Sequence, residues 1–494
     1  MTTRARGLGS ILAVLLGLLL ALAVAAPAAA LERVRGVVHV HSDITTGDFS
    51  LEGLVGLADR QGIGALLLAE NYRLRVEYGL PPFRALTRVT REERSLDGRI
   101  EEYLARVAEA QARLPHVLLI PGVEVIPHYH WTGSLAARDL TVHDTQKNLL
   151  VFGLTEPAAL RALPVVGNPA AGVYGWQSLL DALPVLLVIP GMVLLLRRRA
   201  VRQRLGRGAV VIVHRRAWLA GSVLCVVGIA AAIRGWPFVN DRHPTSHPAG
   251  LAPYQELIDG VERAGGAAVW SFPEAADRGE QYVGPVRVTW VTEPYADDLL
   301  RTFRYSAYGA VYEDTTRFEQ PGGGWDRLLG EYARGERTRP AWALAESGFH
   351  GASAGKQIGP LQTVFLVREK SAAGVLEALR QGRMYAVQRT RDLGFDVGEF
   401  TATAGGASAG VGETLRAPAG TPIELRIAVE ASDGRSHDVR VAVIGNGRLR
   451  VLQRGATPLS VVHREVSDGT PLVLRVDARG AQQRVLTNPI FVRP

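Results

Sequence analysis

The chain has 494 residues, 47% of them hydrophobic and 21% charged, with a formal charge of +8, a composition that suits a globular protein of two or three domains. The charge does not mark a nucleic-acid binder: Arg197, Arg198, Arg199, Arg202, Arg204, Arg207, Arg215 and Arg216 lie in one acid-free stretch between two apolar runs, and the rest is close to neutral, so the bias is a topology signal first. The lone cysteine, Cys225, excludes an intrachain disulfide and a Cys-based zinc site.

In chain order, Arg4 and Arg6 precede an apolar run from Ile11 to Ala26, and Ala28 and Ala30 supply the small residues of a signal-peptidase site. Residues 1–30 are therefore expected to be a signal peptide or an N-terminal anchor helix, and both place the chain beyond residue 30 outside the cytoplasm. "GVVHVH" predicts a strand. "SLEGLVGLADRQG" predicts a helix with Leu51, Leu54, Val55 and Ala58 on one face. "IGALLLAE" is a continuous apolar strand of the kind buried in a parallel sheet. A helix over "DGRIEEYLARVAEAQARL" and strands over "HVLLIPGVEV" and "KNLLVFGL" come after it.

Two runs of about 20 apolar residues come next, "WQSLLDALPVLLVIPGMVLLL" and "AWLAGSVLCVVGIAAAIRGWP", long enough to cross a hydrocarbon core. Trp176, Trp218 and Trp236 lie near their ends, as interfacial anchors do. A buried helical hairpin in a soluble domain is the alternative, and the arginine cluster between the runs argues against it, since positive loops stay cytoplasmic. Residues 171–238 are thus expected to be a transmembrane hairpin inserted into an extracytoplasmic, periplasmic or cell-surface domain made of residues 31–170 and 239–400. The second half repeats helix then strand in "YQELIDGVERAGG" with "AAVWSF" and in "AAGVLEALRQG" with "RMYAV", which predicts a parallel α/β barrel. Residues 401–494 alternate strictly in "TPIELRIAVEA" and carry a Gly-Asn-Gly turn in "DVRVAVIGNGRLRVL", which predicts a small antiparallel β-sandwich.

Functional side chains of such a barrel gather at the C-terminal ends of its strands. Those ends carry His39 and His41, then Glu70, then Glu124. Residues i and i+2 of a strand point the same way, so both imidazoles can face one ion, and nitrogen with carboxylate oxygen suits zinc, iron or manganese. His128, His130, His143, Asp144, His243 and His247 are either loop residues near the membrane surface or a second metal position or phosphate-binding rim. Arg73, Arg75 and Lys147 are solvated loop charges or contacts to an anionic substrate.

"GVVHVHSD", a helix, a strand ending in an acid, then "IPGVEV" resembles the PHP superfamily, the polymerase and histidinol phosphatase-type metallohydrolases, over roughly residues 34–153 and 254–395. The terminal "LTNPIFV" is similar to the end of a β-domain in some extracytoplasmic members. The resemblance implies a distorted (β/α)7 barrel whose metal ions activate water against phosphoesters or other esters. Carried over, His39, His41, Glu124 and His350 are implied as metal ligands, with Glu70 as a further ligand or the catalytic general base. Thr46, Asn71, Asn148, Phe272 and Gly348 stand where the family has ligands, so one or two divalent ions are implied instead of three. Two functions are open. One is a membrane-anchored hydrolase of a small anionic or ester substrate, most directly a phosphoesterase, without a nucleic-acid partner. The other is a catalytically inactive PHP-like envelope module that binds a ligand or protein partner.

Overall fold

The structure is a computed structural model and describes residues 31–206, 208–314 and 316–494; the leader expected at residues 1–30 lies outside the described residues. The chain is mixed α/β. Its elements are β1 (Glu32–Val40), α1 (Leu51–Arg60), β2 (Ala65–Leu68), β3 (Glu70–Asn71), α2 (Ile100–Arg113), β4 (Leu118–Ile120), β5 (Gly122–Val125), β6 (Leu149–Phe152), α3 (Ala252–Arg263), β7 (Ala267–Trp270), β8 (Ala307–Val311), α4 (Gly324–Ala333), β9 (Trp342–Ala345), β10 (Leu361–Val367), α5 (Ala372–Gln381) and β11 (Met384–Gln388).

Two sheets hold these strands. The first runs β4-β2-β1-β10-β11 and the second β9-β8-β7-β6-β5-β3. The apolar runs expected as single strands each divide between the sheets, "ALLLAEN" at Ala69 and "LLIPGVEV" at Pro121. Pro121 has no N–H to give a ladder, so the break falls there. On the other side Ser347 N donates to Val38 O (3.0 Å), Phe349 N to His39 O (2.9 Å) and His41 N to Phe349 O (2.9 Å). Helix α1 is capped by the Ser50 side chain and buries Leu51, Leu54, Val55 and Ala58, the face its spacing sets. Both sheets and helices α1 to α5 contribute to one hydrophobic core.

An all-parallel order is not what forms. β6 runs antiparallel to β5 and β7, and β10 antiparallel to β1. The stretch between β5 and β6 is a hairpin of His130–Ser134 and Asp139–His143 without a helix, and only parallel neighbours demand a crossover.

The two apolar runs form helices over Trp176–Leu196 and Trp218–Gly235, long and apolar enough to cross a membrane, with 17% and 22% of their apolar windows buried. They meet closely. A Cβ at Gly191 would stand 2.6 Å from Cys225 Sγ, and one at Gly221 would stand 2.8 Å from Gly191 O, the small-residue contact of membrane helix pairs. The arginine-rich segment between them is an exposed antiparallel hairpin of Arg199–Leu205 and Ala209–Arg215.

The C-terminal part is two β layers around a second core. One layer is ordered Ala407–Ala409, Phe395–Ala404, Pro422–Ala431, Leu459–Val466. The other belongs to the first α/β sheet, because Arg484–Thr487 pairs with β11. Ile423, Leu425, Ile427 and Val429 are buried as alternation requires. Asn446 and Gly447 take φ of 48° and 74° in the hairpin turn, as a two-residue turn between twisted strands needs.

Candidate metal centre

His39 lies near the end of β1 and His41 just past it, and Glu124 lies in β5 on the opposite sheet. His39 Nε2 is 3.0 Å from His41 Nε2, and each nitrogen is 3.5 Å from Glu124 Oε2. All three side chains are buried. Ligand atoms about 2.0–2.1 Å from a tetrahedral cation stand about 3.3–3.4 Å apart, so this triangle fits a divalent ion with a fourth position left over. Plain strand alternation does not bring the imidazoles together. The β1–β2 register slips between Val38 and Val40, and His39 sits in that bulge at φ 71°. A left-handed conformation at a residue with a Cβ costs on the order of 1 kcal/mol or more and gathers at functional sites.

The three candidate ligands are oriented by neighbours. His39 Nδ1 lies 2.7 Å from Glu346 Oε1, which also accepts from Ser271 Oγ (2.5 Å); Glu346 Oε2 accepts from Phe272 N (3.0 Å). Asn148 Nδ2 donates to Glu124 Oε1 (2.6 Å), leaving Oε2 to the histidines. Such partners fix the tautomer and aim of metal ligands. Glu346 was not among the residues singled out from the sequence. Its signal was there, since it follows the apolar strand "WALA" as Glu70 follows "ALLLA".

Burial opposes charge on His39, yet the Glu124 and Glu346 carboxylates outweigh it and raise its pKa. Burial likewise pushes Glu124 up, and His39 and His41 pull it well below the carboxylate range. His41 is driven down by burial and by the His39 charge, so it stays neutral and ligand-competent.

The other two expected ligands stand apart from the triangle. Glu70 Oε1 accepts from Ser42 N (2.8 Å) and Ser42 Oγ (2.5 Å), and Glu70 Oε2 accepts from Thr45 Oγ1. Burial raises its pKa to about 7 against those bonds. His350 stacks on His41 with centroids 3.9 Å apart and planes 11° apart, its Nδ1 at 3.0 Å from Thr46 Oγ1. Phe272 covers His39, ring centroids 5.3 Å apart. Among the loop histidines, His130 stacks on His143 at 4.6 Å, and His128 and His243 centroids are 6.4 Å apart. The three loop cations are paired: Lys147 with Asp298 (2.5 Å), Arg73 with Asp97 (2.8 Å) and Arg75 with Glu77 (3.1 Å).

No family model matches the chain, and no curated protein matches it. Among solved structures it is similar to a two-domain protein containing a predicted PHP-like metal-dependent phosphoesterase from Bacteroides vulgatus ATCC 8482, at 10% identity and TM-score 0.35, over 90% of each chain. A candidate metal-dependent phosphoesterase from Bifidobacterium adolescentis ATCC 15703 is similar at 13% identity and TM-score 0.27, over 66% of this chain and 90% of its own. At these values the likeness is slight and carries no assignment of activity to this chain.

Proposed function

We propose that this chain is a membrane-anchored, extracytoplasmic metal-dependent phosphoesterase of PHP type with a reduced metal site. The observation that carries the reading is the buried triangle of His39 Nε2, His41 Nε2 and Glu124 Oε2 with edges of 3.0, 3.5 and 3.5 Å. The motif resemblance supports it. So does the strand count, since with β10 and β11 set aside the two sheets trace seven strand positions joined at Ala69, Pro121 and Phe349, which we read as a distorted (β/α)7 barrel. Domain limits at residues 31–170, 171–238, 239–400 and 401–494 belong to the same reading.

His39, His41 and Glu124 would hold the ion, and a bound divalent cation lowers the pKa of water and polarises a phosphoryl oxygen. Glu346 keeps the His39 proton on Nδ1, which leaves Nε2 to face the site. Asn148 holds Glu124 so that one oxygen faces both imidazoles. Phe272 shields His39 from water. Glu70, with a pKa of about 7, is poised to take or give a proton near neutral pH, and His350 beside Thr46 lines the same mouth.

The test uses the full-length chain in detergent. Bound zinc, manganese and iron are measured by mass spectrometry, then hydrolysis of an aryl phosphate. Metal near one equivalent, with loss of metal and activity in His39→Ala and Glu124→Ala, is expected. A protein that binds no metal, or variants that change neither quantity, would refute the hydrolase. A second reading, an inactive ligand-binding module, is favoured by one feature: Glu70 is tied to Ser42 and Thr45, with neither oxygen in the triangle. Stoichiometric metal without any ester hydrolysis supports that reading instead.

A further inference from the structure

An apolar groove is lined in part by Ile126 and Gln146, two residues along the chain from Glu124 and Asn148. Its volume is about 620 Å³, and its walls include Leu74, Val76, Leu140, Val142, Val288 and Trp290. That is within the size range of ligand pockets, which are mostly apolar with a few polar groups placed to orient the ligand. One wall is the two-stranded arm of Arg75–Tyr78 and Val89–Glu92. The other is the four-stranded sheet that joins the hairpin after β5 to Val286–Thr292 and Asp277–Val283. The Arg91 guanidinium donates to Gln281 Oε1 (3.3 Å) and spans the two walls.

At its inner end the groove is one hydrogen bond away from Asn148, whose amide also holds Glu124. Ile126 lies just beyond β5, and Gln146 Oε1 accepts from Asn148 Nδ2 (3.4 Å), the amide that donates to Glu124. Leu74 is two residues from Tyr72, whose N–H donates to Glu124 O (2.9 Å). The outer end is formed by Tyr78, Leu80, Thr87 and Val89. Leu80 and Val89 are exposed there, and the short helix Arg84–Thr87 in that segment leans on the apolar helix Trp218–Gly235. The groove therefore runs from residues neighbouring Glu124 and Asn148 to a segment that packs on the membrane-type helices. A solute with a phosphate head and a hydrocarbon tail has that distribution of polarity. A polar phosphoester would leave the part-exposed Val76, Trp131, Val288 and Trp290 facing water.

We propose that the site acts on the phosphoester of a membrane amphiphile, whose hydrocarbon chain lies in this groove while its head meets His39, His41 and Glu124. The substrate class rests on the hydrolase reading above; the groove as a chain-binding channel does not. In the reaction water adds to phosphorus, the bond to the alcohol oxygen breaks, and that alcohol leaves with a proton.

The test separates the two. Full-length protein in lipid nanodiscs is irradiated with a decyl phosphate carrying a diazirine at the chain end, and the labelled peptides are mapped. Affinities of butyl, hexyl and octyl phosphate are measured at matched free concentrations. Labels are expected within residues 74–93, 131–146 or 277–292. Affinity should tighten about three- to fourfold per methylene buried, and Val288→Glu should flatten the series while the metal content shows the fold intact. Labels confined to the helices at 176–196 and 218–235, or affinities independent of chain length, overturn the groove proposal and leave the hydrolase to its own assay. Groove labelling and a steep series in a protein that hydrolyses no alkyl phosphate uphold the channel and overturn the assigned substrate role.

Discussion

Replacing Glu346 with Gln should weaken divalent-metal affinity by about 10- to 100-fold, the usual effect of losing a ligand's orienting partner. Glu346 is fully buried and faces His39 Nδ1 at 2.7 Å, Ser271 Oγ at 2.5 Å and Phe272 N at 3.0 Å. All three can donate to a carboxylate, so the charge fixes the His39 proton on Nδ1. The glutamine amide would keep one oxygen. The backbone N–H of Phe272 cannot reverse its role and claims that oxygen, which turns the amide NH2 toward Nδ1. In the neutral imidazole that coordination requires, Nδ1 must then accept, and the single ring proton would sit on Nε2, the atom 3.0 Å from His41 Nε2. A cation would have to displace it, at a cost of about 1.4–2.7 kcal/mol for that affinity range. Chelator-competition titration of zinc and manganese near neutral pH reads the change, with circular dichroism as the fold check. An unchanged affinity in a folded variant would show that Glu346 does not set the His39 tautomer.

Gly309→Ala should lower metal affinity without touching a ligand, because its Cβ would overlap the Glu346 carboxylate; the same titration checks it, and wild-type affinity would count against the orienting role. Glu70 has a folded pKa raised to about 7 from 4.5, so it favours folding below its unfolded pKa, and that contribution, about 3 kcal/mol, is lost as pH rises through 7. Denaturation of the metal-free protein should show this loss, and Glu70→Gln should abolish it; identical pH profiles would contradict the shift. Arg475 is buried against Asp326 (2.6 and 2.7 Å) and Trp325, and it joins the C-terminal layers to α4. Arg475→Ala should destabilise by about 3–5 kcal/mol, since it strands a buried carboxylate, and a denaturant transition left in place would refute the estimate. A reporter active only outside the cytoplasm should be silent when fused near Arg202 and active near Asn168 and Asp259; activity at Arg202 would refute the hairpin topology.

Much of the secondary structure was legible because it is local. The face of α1 and the alternation of Ile423 to Val429 follow from periods of 3.6 and 2. The strand-end positions of His39, His41 and Glu124 were legible too, since an apolar run shows where a strand stops. Strand direction was not. β6 has the same apolar texture as a parallel strand, and its antiparallel pairing depends on a hairpin connection that periodicity does not reveal. The separate sandwich expected at residues 401–494 instead shares a sheet with β11, because edge pairing depends on which strand ends are left open.

By itself the sequence determined which residues could serve as ligands, which segments are apolar enough for a bilayer, and where the β-rich part begins. Only the tertiary structure decided which of these candidates meet. His39 turns into the site through a bulge, Glu124 reaches it from the other sheet, and Glu346 arrives from 307 residues away to fix a proton. Glu70 and His350, equally good candidates by type and position, are drawn instead to Ser42, Thr45 and Thr46. The reason is physical: a side chain's character is set by its own chemistry, but its direction is set by register, backbone conformation and hydrogen-bond competition among residues far apart in the chain.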